Sequence, residues 1–334
     1  MIARSTQPTQ NVDWRHALRE AISDPLELLD MLGLDRLDRR VSSLASQQFA
    51  LRVPRGFVKK MAYQDWSDPL LRQVLPLQDE LNDVANFSTD AVGDVLATRE
   101  LGVLHKYANR VLLITTAACA VHCRYCFRRH FPYAQAVAAK DNWASTMRYL
   151  DGHPEVNEVI LSGGDPLSLS TAKLRALTDQ LQTRPQLRRL RLHTRWPVVL
   201  PERIDAELLD WFGSIRLQKV VVIHSNHANE LDAAVGHGLA ALRARGAELL
   251  NQAVLLRGVN DSVDALKNLS EALIAHSVLP YYLHLLDRVQ GSAHFEVDEA
   301  RGVALVDELK AHLPGYLVPR LARETAGAAS KTFG

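Results

Sequence analysis

Between residues 110 and 286 the chain repeats one pattern: a short apolar run rich in β-branched residues, then a longer stretch with apolar positions every three or four residues. The runs predict six strands, Arg110 to Thr116, Glu158 to Ser162, Arg188 to Thr194, Gln218 to His224, Glu248 to Leu255 and Pro280 to Leu286. The longer stretches predict helices at 141–151, 170–182, 202–213, 229–245, 262–277 and 297–312. Such alternation marks repeated βα units and a parallel sheet, hence an α/β fold. A closed barrel needs eight units; six predict an incomplete one, with an open doubly wound sheet as the alternative.

Upstream the pattern differs. Residues 1 to about 10 read as a loose tail, and apolar residues fall at helical spacing over Trp14 to Ala21, Pro25 to Leu32 and Asp68 to Asn82. Asp24 reads as an N-cap with Pro25 at the first helical position. Phe57 and Met61 read as packing residues, and nothing before residue 105 reads as catalytic. The expected organisation is a helical N-terminal region at 1–105, a partial barrel at 106–315 and a C-terminal tail at 316–334.

Composition narrows the partners. Hydrophobic residues make up 47% of 334, and 39 Lys+Arg against 38 Asp+Glu give a net charge of +1. No broad basic surface for nucleic acid is implied, so the local cluster Arg128-Arg129-His130 needs a local explanation. The opening residues are too polar for a signal peptide and no apolar run reaches membrane-spanning length. A cytoplasmic protein with reduced thiols is expected.

All three cysteines stand in one loop after the first strand, Cys119-Ala-Val-His-Cys123-Arg-Tyr-Cys126. A structural zinc site needs four ligands and disulfides need cysteines in pairs, whereas a four-iron cluster on three thiolates keeps one iron free of protein ligands. The alternatives are zinc completed by His122 or His130, and a buried apolar cysteine cluster. Polar groups also follow the other strands: Ser162-Gly163-Gly164-Asp165-Pro166, His193-Thr194-Arg195, His224-Ser-Asn-His227, Arg257 and Asp287. In parallel α/β folds ligand-binding groups gather at those strand ends, so all six are expected around one mouth.

The C-x3-C-x2-C spacing, with an aromatic between the last two cysteines, resembles the radical S-adenosylmethionine enzymes and their three-quarter (β/α)6 barrel. The resemblance narrows with His105-Lys106-Tyr107-Ala108-Asn109-Arg110, Ser162-Gly-Gly-Asp165, Thr194-Arg195-Trp-Pro, Asn251-Gln252 to Asp261 and Tyr281-Tyr282 to Asp287. Together, in order, these look like the lysine 2,3-aminomutase family, from about residue 95 almost to the end. That family moves the α-amino group of free lysine to the β-carbon, with S-adenosylmethionine as radical source and pyridoxal phosphate as carrier.

The resemblance implies a [4Fe–4S] cluster on Cys119, Cys123 and Cys126, fed by an external one-electron reductant. It implies S-adenosylmethionine against Gly163, Gly164 and Asp165, with His224 and Gln252 as further contacts. Lys331 falls where the family's Schiff-base lysine stands, and Lys106, Tyr107 and Arg110 where its pyridoxal phosphate contacts stand. Arg128 matches a clamp on the substrate carboxylate, for which a planar guanidinium is suited. Asp287 matches the acceptor of the ε-ammonium, with Glu324 as a second acidic partner where the family usually carries aspartate. Arg195 is an anion contact without an assigned anion.

The chain has no further cysteines for the zinc site of some family members and ends soon after Lys331. It is therefore expected to be like the short members that convert (S)-α-lysine to (R)-β-lysine, which a separate ligase attaches to elongation factor P. The alternatives are a radical aminomutase acting on another amino acid or on a protein-bound lysine, and a non-catalytic zinc scaffold. A homo-oligomer is compatible with the chain.

Overall fold

The computed structural model describes residues 13–133, 137–325, 327, 328 and 330–333. Ten strands form one sheet in strictly sequential order. They are β1 (Thr98–Glu100), β2 (Val103–Tyr107), β3 (Arg110–Thr116), β4 (Glu158–Gly163), β5 (Arg189–Thr194), β6 (Gln218–His224), β7 (Ala247–Val254), β8 (Leu279–His284), β9 (Arg320–Arg323) and β10 (Thr332–Phe333). Every neighbouring pair from β3 to β9 is parallel, while β1, β2 and β10 add antiparallel edges.

Six helices cross over between consecutive parallel strands: Ala144–Asp151, Thr171–Leu181, Ala206–Ser214, Ala233–Ala244, Val263–Ala275 and Glu299–His312. A doubly wound sheet reverses its strand order at a switch point. No reversal occurs here, which removes that alternative. Curvature shows at the ends: the Tyr107 hydroxyl in β2 donates to Glu324 Oε1, just past β9, at 2.8 Å. Seven strand spacings in a flat sheet would separate them by about 34 Å. The sheet therefore rolls into a partial (β/α)6 barrel.

The six strands and six helices expected from the sequence are present within a few residues of their limits. Side-chain alternation explains the inner lining. In β5, Leu190, Leu192 and Thr194 are buried, and between them stand Arg189, Arg191 and His193; Arg191 and His193 line the central cavity.

Three expectations need correction. The stretch Asp68 to Asn82 is not a helix but two 3-10 turns, Leu71–Gln73 and Gln78–Leu81. Pro76 has no N–H to extend the first turn, and the Asp68 carboxylate instead accepts from Leu70 N and Leu71 N at 2.9 and 2.8 Å. The N-terminal region is not helical throughout, since β1 and β2 join the sheet and the boundary at 105 falls inside β2. The tail also carries strands β9 and β10. The reading of residues 1 to about 10 lies outside the described residues.

The other N-terminal expectations hold. Helices span Trp14–Arg19 and Pro25–Leu32, and the Asp24 carboxylate accepts from Leu26 N at 2.9 Å. Phe57 and Met61 are buried, and Trp14 packs edge-on against Trp196 at 5.3 Å, tying the region to the barrel.

Candidate functional site

The strand ends and the cysteine loop enclose a cavity of about 720 Å³, ample for a substrate and organic cofactors. Cys119, Cys123 and Cys126 line it together with Gly163, Gly164, Asp165, His224, Gln252, Lys106, Tyr107, Arg110, Arg128, Arg195, Asp287, Glu324 and Lys331. The expected convergence is therefore found, with one exception. Arg257 does not line the cavity and donates through Nε to the Glu296 carbonyl at 3.0 Å.

The loop is held by the N-terminal region. Arg124, between the second and third cysteines, is fully buried; its Nε and Nη2 donate to the two oxygens of Glu80 at 2.8 and 2.6 Å. Arg129 Nη2 donates to Glu80 Oε2 at 2.9 Å, which explains that member of the basic cluster. His122 N donates to Arg52 O and Arg124 N to Gln73 O, both at 2.9 Å. Residues before 105 thus shape the site by supporting its loop, a role the sequence did not assign them.

Gly163 and Gly164 fit the loop for a steric reason. Gly163 has φ +116°, a conformation open to glycine. A Cβ on Gly164 would lie 2.4 Å from Ala118 O and 2.7 Å from Ala117 C, both backbone. Gly164 N donates to Thr116 O at 2.7 Å and Asp165 N to Ala118 O at 2.8 Å, fixing the start of the cysteine loop. Gly164→Ala is expected to displace that loop; iron bound per chain after anaerobic reconstitution should fall well below wild type while the far-ultraviolet circular dichroism is kept. Wild-type iron content in this variant would refute the account.

Asp165 is buried, accepting from Arg195 N (2.6 Å), Thr194 Oγ1 (2.8 Å) and Leu167 N (3.1 Å). Burial outweighs those bonds and pushes its carboxyl up to about 7. The same residue N-caps the turn Pro166–Ser168, the loop-starting role that Asp-Pro suggests. His224 Nε2 lies 2.9 Å from the Tyr125 hydroxyl and burial holds the ring well below its ordinary pKa, so it is neutral.

Around Lys331 the cavity is a charge lattice. Lys331 Nζ donates to Glu324 Oε2 at 2.6 Å, while Glu324 Oε1 accepts from the Tyr107 hydroxyl and lies 3.6 Å from Lys106 Nζ. Burial pushes Glu324 up, but Lys331 and Lys106 outweigh it and the carboxyl ends below its usual range. Lys106 Nζ also reaches Asp94 Oδ1 at 2.7 Å and Val92 O at 2.8 Å. Arg110 stacks 4.3 Å from the Tyr107 ring centroid, with a single long bond to Asn109 Oδ1 (3.3 Å).

Arg128 is buried; its Nε donates to Asp94 Oδ2 at 2.7 Å and Nη1 to Ser162 Oγ at 3.2 Å, leaving Nη2 without a partner among the described residues. The Asp287 side-chain carboxyl accepts no hydrogen bond among the described residues, and burial pushes it up to about 7, opposed by Lys331. The cavity therefore presents, among its charged groups, an open Nη2 at Arg128 and an unengaged side-chain carboxyl at Asp287.

Sequence reasoning placed His193 at the mouth but missed Asp94, Arg191 and His284. Arg191 pairs with Glu158 at 2.6 Å. His193 Nε2 is buried with no partner, and burial keeps His193 well below its ordinary pKa and lowers His284 to about 3. The period-two alternation of β5 and β8 carried the signal for Arg191 and His284; Asp94 had none.

The residue set fits the groups expected from the sequence. Three thiols open together on the cavity with a guanidinium at Cys123, two glycines expose backbone beside them, and a lysine with nearby cations stands across the space. Zinc fits poorly. Both candidate fourth ligands face backbone carbonyls, His122 Nδ1 at Ala50 O (2.8 Å) and His130 Nε2 at Gln290 O (3.3 Å). No three His, Cys, Asp or Glu side chains among the described residues are gathered as one metal ion requires.

No protein-family profile matches the chain. It is 47% identical to the L-lysine 2,3-aminomutase of Escherichia coli (strain K12), over 96% of this chain and 94% of that protein. It is 45% identical to the enzyme of the same name from Haemophilus influenzae, over 96% and 95%. Against that of Clostridium subterminale identity is 31%, over 96% of this chain and 77% of that protein. A solved radical SAM methyltransferase from Sphaerobacter thermophilus shares 16% identity and a TM-score of 0.47, over 66% of this chain and 68% of that one, too distant to carry an argument.

Proposed function

The chain belongs to the L-lysine 2,3-aminomutase family, and from that premise we propose that it converts (S)-α-lysine to (R)-β-lysine. In this reading Cys119, Cys123 and Cys126 hold a [4Fe–4S] cluster, Gly163 and Gly164 with His224 and Gln252 receive S-adenosylmethionine, and Lys331 with Arg110 receives pyridoxal phosphate. Bound there, the cluster with S-adenosylmethionine supplies radical cleavage of an unactivated C–H bond, and pyridoxal phosphate supplies the carrier for the nitrogen.

The observation that carries the reading is that the cavity is lined by an arginine with an open Nη2 and an acid whose side-chain carboxyl is unengaged among the described residues. Free lysine has a carboxylate at one end and an ammonium at the other. Arg128 has an open Nη2 for the carboxylate, and it is already aimed by Asp94 and Ser162. Asp287 is the carboxyl left for the ε-ammonium, because Glu324 is engaged with Lys331, Lys106 and Tyr107. An arriving ammonium, already charged, favours the ionised form of Asp287. Glu324 holds the ammonium of Lys331 and gives its departing proton a nearby acceptor at Oε2. His193 and His284 stay neutral and leave the field to the carboxylates and cations.

The product is placed in the modification of elongation factor P through a separate ligase. This is supported by the chain's match to almost the whole length of the shorter relatives and by the lack of cysteines beyond the three in the loop. A cytoplasmic location with an external one-electron reductant suits three reduced thiols, and no helix among the described residues is long and apolar enough to cross a membrane.

Anaerobic incubation with dithionite, S-adenosylmethionine, pyridoxal phosphate and (S)-α-lysine should yield (R)-β-lysine on chiral chromatography. Turnover of arginine or glutamate in preference to lysine would overturn the substrate assignment. Conversion only of lysine already joined to elongation factor P would overturn the free-lysine assignment.

A further inference from the structure

Behind Cys123 lies a buried polar cluster that contact with substrate does not explain. Arg195, nearly inaccessible, donates through Nη1 to Cys123 Sγ and to the Tyr125 hydroxyl, both at 2.7 Å. Its Nη2 donates to Gln73 Oε1 at 2.7 Å and to Glu230 Oε2 at 2.9 Å. Glu230 is completely buried, and its Oε1 accepts from Asn226 N (2.9 Å), His227 N (3.1 Å) and Gln73 Nε2 (3.1 Å). The groups come from four separate parts of the chain: the N-terminal region, the cysteine loop, the end of β5 and the loop after β6.

The arrangement is selective. Among the described residues no side chain donates to Cys119 Sγ or Cys126 Sγ; Cys126 is bonded by the Arg128 backbone and feels Arg128 and Arg129 through space, and Cys119 feels Arg52, whereas Cys123 Sγ receives a guanidinium hydrogen bond. A cysteine that ligates iron is a thiolate, and hydrogen bonds and nearby charge at cluster sulfurs set how readily the cluster takes an electron. In a desolvated setting a guanidinium touching one ligand stabilises the more negative, reduced cluster. A carboxylate directly behind that guanidinium cancels part of the effect.

We propose that Arg195 is a positioning residue that raises the reduction potential of the cluster through its hydrogen bond to Cys123 Sγ, and that Glu230 limits how far it is raised. The proposal rests on the reading that the three cysteines hold a [4Fe–4S] cluster. The step concerned is uptake of one electron, from dithionite in the test, by the cluster core in its 2+ state to give the 1+ state, with no proton transferred. Arg195 thereby finds the anion that the sequence left unassigned.

The test is a mediated dithionite titration of reconstituted wild type, Arg195→Gln, Arg195→Lys and Glu230→Gln, with the reduced cluster read by electron paramagnetic resonance. The signal reports loaded protein alone, so partial loading does not distort the potential. Arg195→Gln should move the midpoint to more negative values and Glu230→Gln to more positive ones, each by roughly tenfold in the reduced-to-oxidised ratio, about 59 mV for one electron. Arg195→Lys, which keeps the charge but not the fork, should fall between Arg195→Gln and wild type. A merely structural network would not give shifts of opposite sign. Unmoved midpoints, shifts of the same sign, or loss of iron from all three variants would overturn the proposal. Absence of a cubane signal from wild type would instead overturn the cluster reading beneath it.

Discussion

Lys331→Ala is expected to bind the same iron per chain as wild type, to form no covalent link to pyridoxal phosphate, and to make β-lysine roughly 10²–10⁴-fold more slowly, the range for a lost proton-transfer side chain. Position in the chain alone makes Lys331 an ordinary lysine near a terminus. Its surroundings do not. Its Nζ lies on the cavity wall, 2.6 Å from a carboxylate that also meets Tyr107 and lies near Lys106, on the strand across the gap in the barrel. Linkage needs a proton to leave the ammonium, and Glu324 Oε2 is an acceptor already at hydrogen-bond distance. Borohydride reduction of wild type followed by proteolysis should place the cofactor's mass on the peptide carrying Lys331. A labelled peptide from elsewhere, or undiminished turnover in the variant, would remove Lys331 from the mechanism.

The barrel was readable because the apolar runs of β3 to β8 alternate with helices long enough to cross over. The edges were not. Thr98–Glu100 has no apolar residue, and Thr332–Phe333 is two residues long, so each is a strand only because a neighbour offers a ladder. The false helix between Asp68 and Asn82 has genuine helical spacing of leucines, yet Pro76 decides the backbone.

At the site the cysteines, glycines and Lys331 were readable because their types and spacing are restrictive. The charges that aim them were not, because pairings 12 to 44 residues apart along the chain leave no local pattern. Glu80 beneath Arg124, Glu230 behind Arg195 and Asp94 between Lys106 and Arg128 are ordinary acids in the sequence and buried counterions in the fold. Arg195 shows the consequence: its residue type was noticed, but its anion became visible only with Cys123 and Glu230 beside it.

Asp94→Ala should show what such a counterion contributes. Asp94 opens the short helix Asp94–Ala97, and its carboxylate is almost wholly buried, 2.7 Å from both Lys106 Nζ and Arg128 Nε. Burial alone would push this carboxyl up, but Arg128 and Lys106 outweigh it and hold it below the usual range, so it is charged at neutral pH. Its removal leaves two cations facing each other in a desolvated space, a change that costs about 3–5 kcal/mol where a buried pair is broken. The urea midpoint of the folded protein should fall accordingly. Below the folded-state pKa of Asp94 the wild type loses the same contribution by protonation, so the gap between the two proteins should narrow as the pH is lowered. Arg128 also loses the partner that fixes its plane, and KM for lysine should rise more steeply than kcat falls. Asp94→Asn keeps an acceptor for one cation but not the charge and should be intermediate in both stability and KM. An Asp94→Ala enzyme with wild-type KM would show that Arg128 needs no such anchoring, and that the substrate carboxylate is bound elsewhere.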